Sequence, residues 1–265
     1  LALTGMALAL AMFGLETVGR HVVPGWMSWL ALLLGIVSGW LAVRHCRRVP
    51  QPAVDLSLLR IATFRDPAFA GSIFRTGAGA VPFLIPVMLQ IGFGMSATES
   101  GLVSFATALG AFAMKPLVRP LLKRTGFRAA LMGNGVLAAA GIAALALLTP
   151  AWPAAAIFLL LAAGGLARSK QFTALNTLAF ADVPTERMSR ATALYGTLQQ
   201  LTPALGVVLA TATLEASRAA SGRDALALVD FSTGFLVAAV VVVASVPLHA
   251  RLAPDAGAEV SGHRR

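Results

Sequence analysis

Two uninterrupted apolar runs constrain this chain more than any other feature: "WMSWLALLLGIVSGWLAV" at 26–43 and "FSTGFLVAAVVVVASVPL" at 231–248. Each is close to the roughly 20 apolar residues that a helix needs to cross a hydrocarbon core about 30 Å thick. The rest of the chain agrees. Apolar residues make up 57% and charged residues 12%, against about 45–50% and about 25% in soluble domains. A water-soluble fold is excluded. Cys46 stands alone, so no internal disulfide forms and no cysteine-based metal site is expected.

Apolar runs and their Pro, Gly and charge punctuation divide the chain into about eight transmembrane helices, an all-α integral membrane fold. The spans are approximately 1–15, 26–43, 67–93, 99–122, 129–148, 154–180, 186–213 and 231–248. Local start signals support several of them. Asp66-Pro67 reads as an N-cap followed by proline at the first helical position, and Ser96 through Glu99 fits a capping box. "TPAWP" reads as a tight turn between the fifth and sixth spans. The opening run "LALTGMALALAMFGL" lacks the basic flank of a signal peptide and reads as the remainder of a span that begins upstream, so the chain is expected to be a fragment.

The basic residues set the orientation. Arg44, Arg47, Arg48, Arg60, Arg65, Arg119, Lys123, Arg124, Arg128, Arg187, Arg190, Arg251, Arg264 and Arg265 fall on one side, fourteen of the 21 Lys and Arg residues. Only Arg20, Arg218 and Arg223 fall on the other. The basic loops and the C-terminus are therefore expected in the cytoplasm. The net charge of +10 is a topology signal, and nucleic-acid binding is not needed to explain it.

Four cations remain inside spans: Arg75, Lys115, Arg168 and Lys170. One such group at a helix centre costs about 2.5–3.5 kcal/mol on insertion scales, so each needs a cavity, a partner or an escape to the interface. Lys115 lies near the cytoplasmic headgroups and can snorkel. Lys170 either lines a cavity or snorkels. Arg168, Gln171 and Leu175 share one helical face in "GGLARSKQFTALNTLAFADVP", which also carries Asn176. Arg75, Gly79, Pro82, Pro86 and Gln90 share an arc of about 80° on the third span. Prolines there free carbonyls that are tolerated only against protein or water. Gly196, Gln199, Pro203 and Gly206 share a face of the seventh span. Packing is the reading for Gly196 and Gly206, and Gln199 is open to a polar pathway. Gly133, Asn134 and Gly135 read as a packing patch. Spans 3–5 and 6–8 form two triplets starting from opposite faces, and the first member of each carries embedded charge and a helix-weakening element. Matching interruptions in inverted repeats point to a transporter's central site. The substrate-pathway set is thus Arg75, Gln90, Arg168, Gln171, Asn176 and Gln199, with Gly79, Pro82, Pro86 and Pro203 as helix-break or gating positions.

The segments "DLSLLRIATFRDPAF", "PFLIPVMLQIGFGMSATESGL", "RSKQFTALNTLAFADVP" and "MSRATALYGTLQQLTPALGV" resemble, in order and spacing, the C-terminal half of a 14-span drug:proton antiporter of the EmrB/QacA-like branch of the major facilitator superfamily. The segment "PLVRPLLKRTGFR" is similar to the superfamily's basic loop, without its acidic residue. The resemblance implies two linker helices in 1–50, the first truncated, a six-helix transporter half built of two inverted three-helix repeats in 51–250, and a cytoplasmic tail in 251–265. It implies that the first helix of each triplet borders the central cavity, which assigns Arg75, Gln90, Arg168 and Gln171 to that surface. Lys170 departs from the apolar residue expected there. The implied function is proton-coupled multidrug efflux of amphipathic small molecules by alternating access, in a bacterial inner membrane. The implied partners are the lipid bilayer, the N-terminal half of the same transporter, protons and a periplasmic adaptor used by some relatives.

None of the eleven acidic residues lies deep in a span. Carboxylates are the usual embedded proton carriers, so the proton-coupling acids are expected in the other half. No metal-spaced histidine pair, nucleophile with a base, or Gly-rich phosphate loop occurs. No enzyme activity, catalytic residue, metal or cofactor is expected. Two alternatives stay open: an exporter of a single metabolite or siderophore, and a non-transporting membrane scaffold or sensor.

Overall fold

A computed structural model describes residues 2–17, 24–46 and 55–263. Among these the chain is all-helical, without strands. Helices α1 (Ala2–Thr17) and α2 (Gly25–Cys46) form a hairpin. It closes tightly because Gly14 and Gly35 carry no side chain: a Cβ at Gly35 would lie 2.7 Å from the Ala11 backbone nitrogen. The hairpin rests on the rest of the molecule through α1 and α6 (Met188–Ala220).

Helix α3 (Ala62–Val87) continues as one wide turn over Met88–Gly92. Its start corrects the sequence reading. Asp66 is not an N-cap. Asp55 caps a short 3-10 turn, Leu56–Arg60, by accepting from the Ser57 N–H at 3.0 Å. That turn hands over to α3 four residues before Asp66, whose carboxylate is used elsewhere. The capping box at Ser96 and Glu99 is present as expected.

Spans four and five appear as a single helix, α4 (Ala97–Leu145), broken at Gly126, where φ is 70° and ψ is 168°. Straight, its 49 residues would extend about 73 Å, more than twice the hydrocarbon thickness. The break reverses it. The arm before Gly126 runs parallel to α5 (Ala154–Ala179), with Ser169 donating to the Ala111 carbonyl. The arm after it runs antiparallel, with Gln171 against Leu131 and Asn134 against Ala167. Only glycine adopts this backbone region readily. Gly126→Ala is expected to cost about 1–3 kcal/mol, read as a lower thermal midpoint in detergent, with the Glu99 end of α4 unaffected.

Helix α7 (Leu228–His249) packs on α3, α4 and α6. The segment beyond it is folded back and ends in a short helix, α8 (Ala258–Ser261). Leu252 is buried with Val118, Leu122, Phe127 and Leu178, and the His263 Nδ1 donates to the Lys123 carbonyl at 2.9 Å. This segment therefore covers the outside of the α4 break.

Among the described residues, three helical stretches are apolar and long enough to cross a membrane by length and composition, Ala62–Gly92, Ala97–Leu145 and Leu228–His249, with shorter apolar stretches over Gly5–Gly14 and Gly25–Leu41. Helices α5 and α6 have the length but carry Arg168, Lys170 and Gln171, or a Ser, Thr and Gln content, that dilutes their apolar character. Large apolar side chains line the outside, among them Leu102, Phe105, Leu109 and Phe112 along one face of α4. In water such a face would be an aggregation site; in a membrane it meets matching surroundings.

Small residues set the helix crossings. A Cβ at Gly110 would lie 1.9 Å from the Ala162 carbonyl oxygen, and one at Gly165 would lie 2.1 Å from that of Thr107. A Cβ at Gly206 would lie 2.2 Å from the Thr76 carbonyl oxygen, and one at Gly79 would lie 2.7 Å from the Pro203 Cα. Gly206 is thus a packing glycine, as expected. Gly196 is not: nothing lies within 4 Å of its missing side chain. In the fifth-span patch, Asn134 and Gly135 pack against neighbours, whereas Gly133 faces open space.

Candidate functional site: a buried guanidinium between three helices

Arg75 sits on the inner side of α3, where α5 and α6 meet it, and is 2% exposed. Its Nη2 donates to Asn176 Oδ1 at 2.7 Å and to the Tyr195 hydroxyl at 2.8 Å. The guanidinium carbon lies 5.0 Å from the Tyr195 ring centre and 5.4 Å from that of Phe172. Cation–π contacts of this kind are worth about 2 kcal/mol or more when desolvated. All these partners are neutral. Among the described residues no carboxylate pairs with Arg75, and its Nη1 is buried without a hydrogen-bond partner. The absent side chain of Gly71 leaves room at Nη1, which would lie 3.2 Å from a Cβ there. The cluster holds an unneutralised positive charge with donor capacity to spare, an arrangement suited to an anionic or strongly polar partner.

Two of the six pathway candidates, Arg75 and Asn176, are therefore in direct contact. The others are placed differently. Gln171 is fully buried; it accepts from Asn134 at 2.8 Å and donates to the Leu131 carbonyl at 3.2 Å. Asn134 also donates to the Ala167 carbonyl. With both ends of its amide engaged, Gln171 clamps α5 to α4. Arg168 is half-buried and borders a cavity of about 40 Å³ among Phe74, Thr107, Ile142 and Leu161, room for about one water. It makes no hydrogen bond or ion pair among the described residues. Gln90 is exposed on the wide turn that ends α3, and Gln199 is half-buried on α6. Of the gating candidates, Gly79 and Pro203 touch each other across the α3–α6 crossing, Pro82 is exposed and Pro86 half-buried. The Pro86 carbonyl accepts from Ser100 at 3.2 Å, linking α3 to α4. Lys115 is exposed, with its ammonium 4.7 Å from the Phe112 ring centre.

Sequence reading missed Tyr195 and Phe172. One signal was available for the first: Tyr195 is the single tyrosine of the chain, placed in an otherwise small and aliphatic helix.

Two carboxylates brace the end that carries the basic loops. Asp55 accepts from Arg187 Nη2 at 2.8 Å and Nε at 3.2 Å, Arg190 approaches at 3.9 Å, and Arg187 also reaches the Ser57 hydroxyl. Burial opposes ionisation of Asp55, but hydrogen bonds from Ser57 and Arg187 outweigh it and hold its carboxyl below the usual carboxylate range. The brace is therefore present at neutral pH, persists through the usual carboxylate range, and is lost only as pH falls through the lowered value of Asp55. Thr63 donates to Asp182 at 2.9 Å, tying the start of α3 to the end of α5. At the opposite end the fully buried Asp230 accepts from Ser217, Arg223 and the Ala227 N–H, closing the turn between α6 and α7.

The model of the Major Facilitator Superfamily matches residues 1–207 and 67–263. The chain is 32% identical over 183 residues to a protein of Citrobacter koseri named as multidrug resistance protein MdtD, covering 68% of this chain and 38% of that one. A protein of the same name from Klebsiella pneumoniae is 32% identical over 214 residues, 78% of this chain and 43% of its own length. A Haemophilus influenzae protein named as transport protein HsrA is 30% identical over 236 residues, 88% of this chain and 50% of its own. The chain thus spans about half the length, or less, of these relatives. It is a multi-pass membrane protein and belongs to the Major Facilitator Superfamily.

Proposed function

We propose that the chain is the C-terminal half of a proton-coupled multidrug efflux antiporter of the 14-span EmrB/QacA-like branch, which exports amphipathic small molecules by alternating access. In this reading α1 and α2, within 1–50, are the linker pair. Residues 51–250 are the six-helix half, and 251–265 lie on the cytoplasmic side of a bacterial inner membrane. The N-terminal half supplies the other wall of the cavity.

The observation that carries the reading is the Arg75 cluster. An unneutralised guanidinium is kept inside the bundle where α3 and α5 meet, and these helices open the two inverted triplets. Its cost is hard to reconcile with a passive scaffold. The names of the MdtD and HsrA relatives supply the direction, towards transport and multidrug resistance. Arg75 and Arg168 favour substrates that bring a polar or anionic group together with an apolar body.

The test is dye efflux from energised cells that express the full-length protein. An anionic amphipathic dye is expected to be expelled, and a protonophore to stop its expulsion. Efflux that continues after the proton gradient is collapsed would exclude antiport. Efflux confined to one metabolite in a substrate panel would replace the multidrug reading with the single-substrate exporter.

A further inference from the structure

A second buried ionisable contact, at the basic end, takes no part in the Arg75 cluster. His249 is the last residue of α7 and is fully buried. Its Nδ1 lies 2.8 Å from Oδ2 of Asp66, on the first turns of α3, whose side chain is 8% exposed. A carboxylate only accepts, so Nδ1 carries the hydrogen. The other ring nitrogen, Nε2, is buried and has no hydrogen-bond partner among the described residues. A strut between two helices needs one ring nitrogen. Leaving the second unpaired carries a desolvation penalty, a cost without purpose unless that nitrogen is used.

Water can reach the Asp66 side of the contact. A cavity of about 520 Å³ opens beside it, lined by Arg65, Asp66, Phe69, Leu248 and Arg251 among others. At about 30 Å³ per molecule in the liquid, it holds on the order of ten waters. We propose that Asp66 and His249 form a proton-binding pair, from which a proton carried inward is released to the cytoplasm. The inference rests on the antiport reading above. It adds a protonatable site to the half in which, by sequence, no deeply embedded acid was found.

The step is a simple transfer. As the contact opens to the cavity, Nε2 of the neutral ring, closed off in the conformation described, takes one proton from a hydronium ion there, leaving water and an imidazolium beside the Asp66 carboxylate. Release returns the proton to cavity water, and nothing is oxidised or reduced. The net charge of the pair moves between −1 and zero. Binding thus converts the hydrogen bond between the Asp66 carboxylate and a neutral ring into an ion pair between α3 and α7, and release loosens it. The charged and titratable groups on the surrounding elements can be named. Arg65 on α3 and Arg251 beyond α7 oppose the imidazolium, while Asp66 favours it. Tyr195 on α6 is within electrostatic reach of Asp66. Asp182, after α5, is held by Thr63, and Arg128 is the charged residue on the second arm of α4.

The test follows the ring directly. In full-length protein with His21, His45 and His263 replaced by Gln, and any histidines outside this chain likewise, His249 is the sole imidazole. Its ring nitrogens are read by 15N NMR in lipid nanodiscs between pH 5 and pH 9. The ring is expected to titrate in that window, and Asp66→Asn to weaken its proton affinity about tenfold or more. A protonation state that stays constant across the window overturns the proposal. If Asp66→Asn fails to fold, Arg251→Gln gives the same reading with the opposite sign, a strengthened affinity. The transport arm uses His249→Gln in proteoliposomes, where dye-driven proton movement is expected to lose its pH dependence near neutrality. An unchanged profile in that variant overturns the pair's role and leaves antiport standing. Absence of dye–proton exchange in the unsubstituted protein overturns antiport itself.

Discussion

Gly110→Leu is expected to abolish the folded bundle, with no monodisperse protein recovered after extraction from the membrane. The reason lies at the α4–α5 crossing. Even a methyl group at Gly110 would sit 1.9 Å from the Ala162 carbonyl oxygen, and the facing Gly165 would sit 2.1 Å from that of Thr107. Both obstacles are backbone atoms, which no rotamer change can move. Overpacking a core commonly costs about 1–3 kcal/mol when side chains can yield. Here the helices themselves must separate, and the Asn134–Gln171 clamp on the other arm of α4 opposes the separation. Gly110→Ala falls in the same direction with a smaller loss. Gly133→Leu is the control: nothing lies within 4 Å of Gly133, and the folded yield is expected to match that of the unsubstituted chain. Normal recovery of Gly110→Leu would show that the crossing is not built on these glycines.

Arg75→Met and Tyr195→Phe are expected to move stability in opposite directions. The guanidinium has no neutralising carboxylate among the described residues, and its Nη1 is unpaired. Replacing a buried charge by an apolar side chain of similar length is often neutral or stabilising. Arg75→Met should therefore hold or raise the thermal midpoint, while dye efflux by the full-length protein falls about tenfold, equivalent to about 1.4 kcal/mol of lost interaction. Tyr195→Phe keeps both ring contacts but removes one of two acceptors from a buried cation. It should cost about 1.5–3 kcal/mol. A large loss of stability in Arg75→Met with efflux retained would make the cluster architectural and remove it from the transport pathway.

Much of the fold was legible because a hydrocarbon solvent leaves the backbone few options. Apolar run length located the helices, and "SATE" located the start of α4. The handover into α3 was not legible. Asp66-Pro67 has the local form of a helix start, yet Asp55 caps the preceding turn and Asp66 turns to His249, 183 positions away. The helical arc drawn from Arg75 to Gln90 does not share one environment. Because α3 crosses its neighbours, Arg75 is enclosed by α5 and α6, while Pro82 and Gln90 emerge from the bundle. The wide turn at Met88–Gly92 then shifts Gln90 off the helical register. Periodicity ranks the faces of one helix; it cannot say which residue of another helix answers them. Tyr195, 120 positions from Arg75, could not be found that way.

The glycine crossings also limit how this half can move. At Gly110–Gly165 and at Gly79–Gly206, backbone meets backbone with no intervening layer of side chains to slide or re-pack. The separation of the helices at these points is set by main chain alone, and no change of rotamer can widen or narrow it.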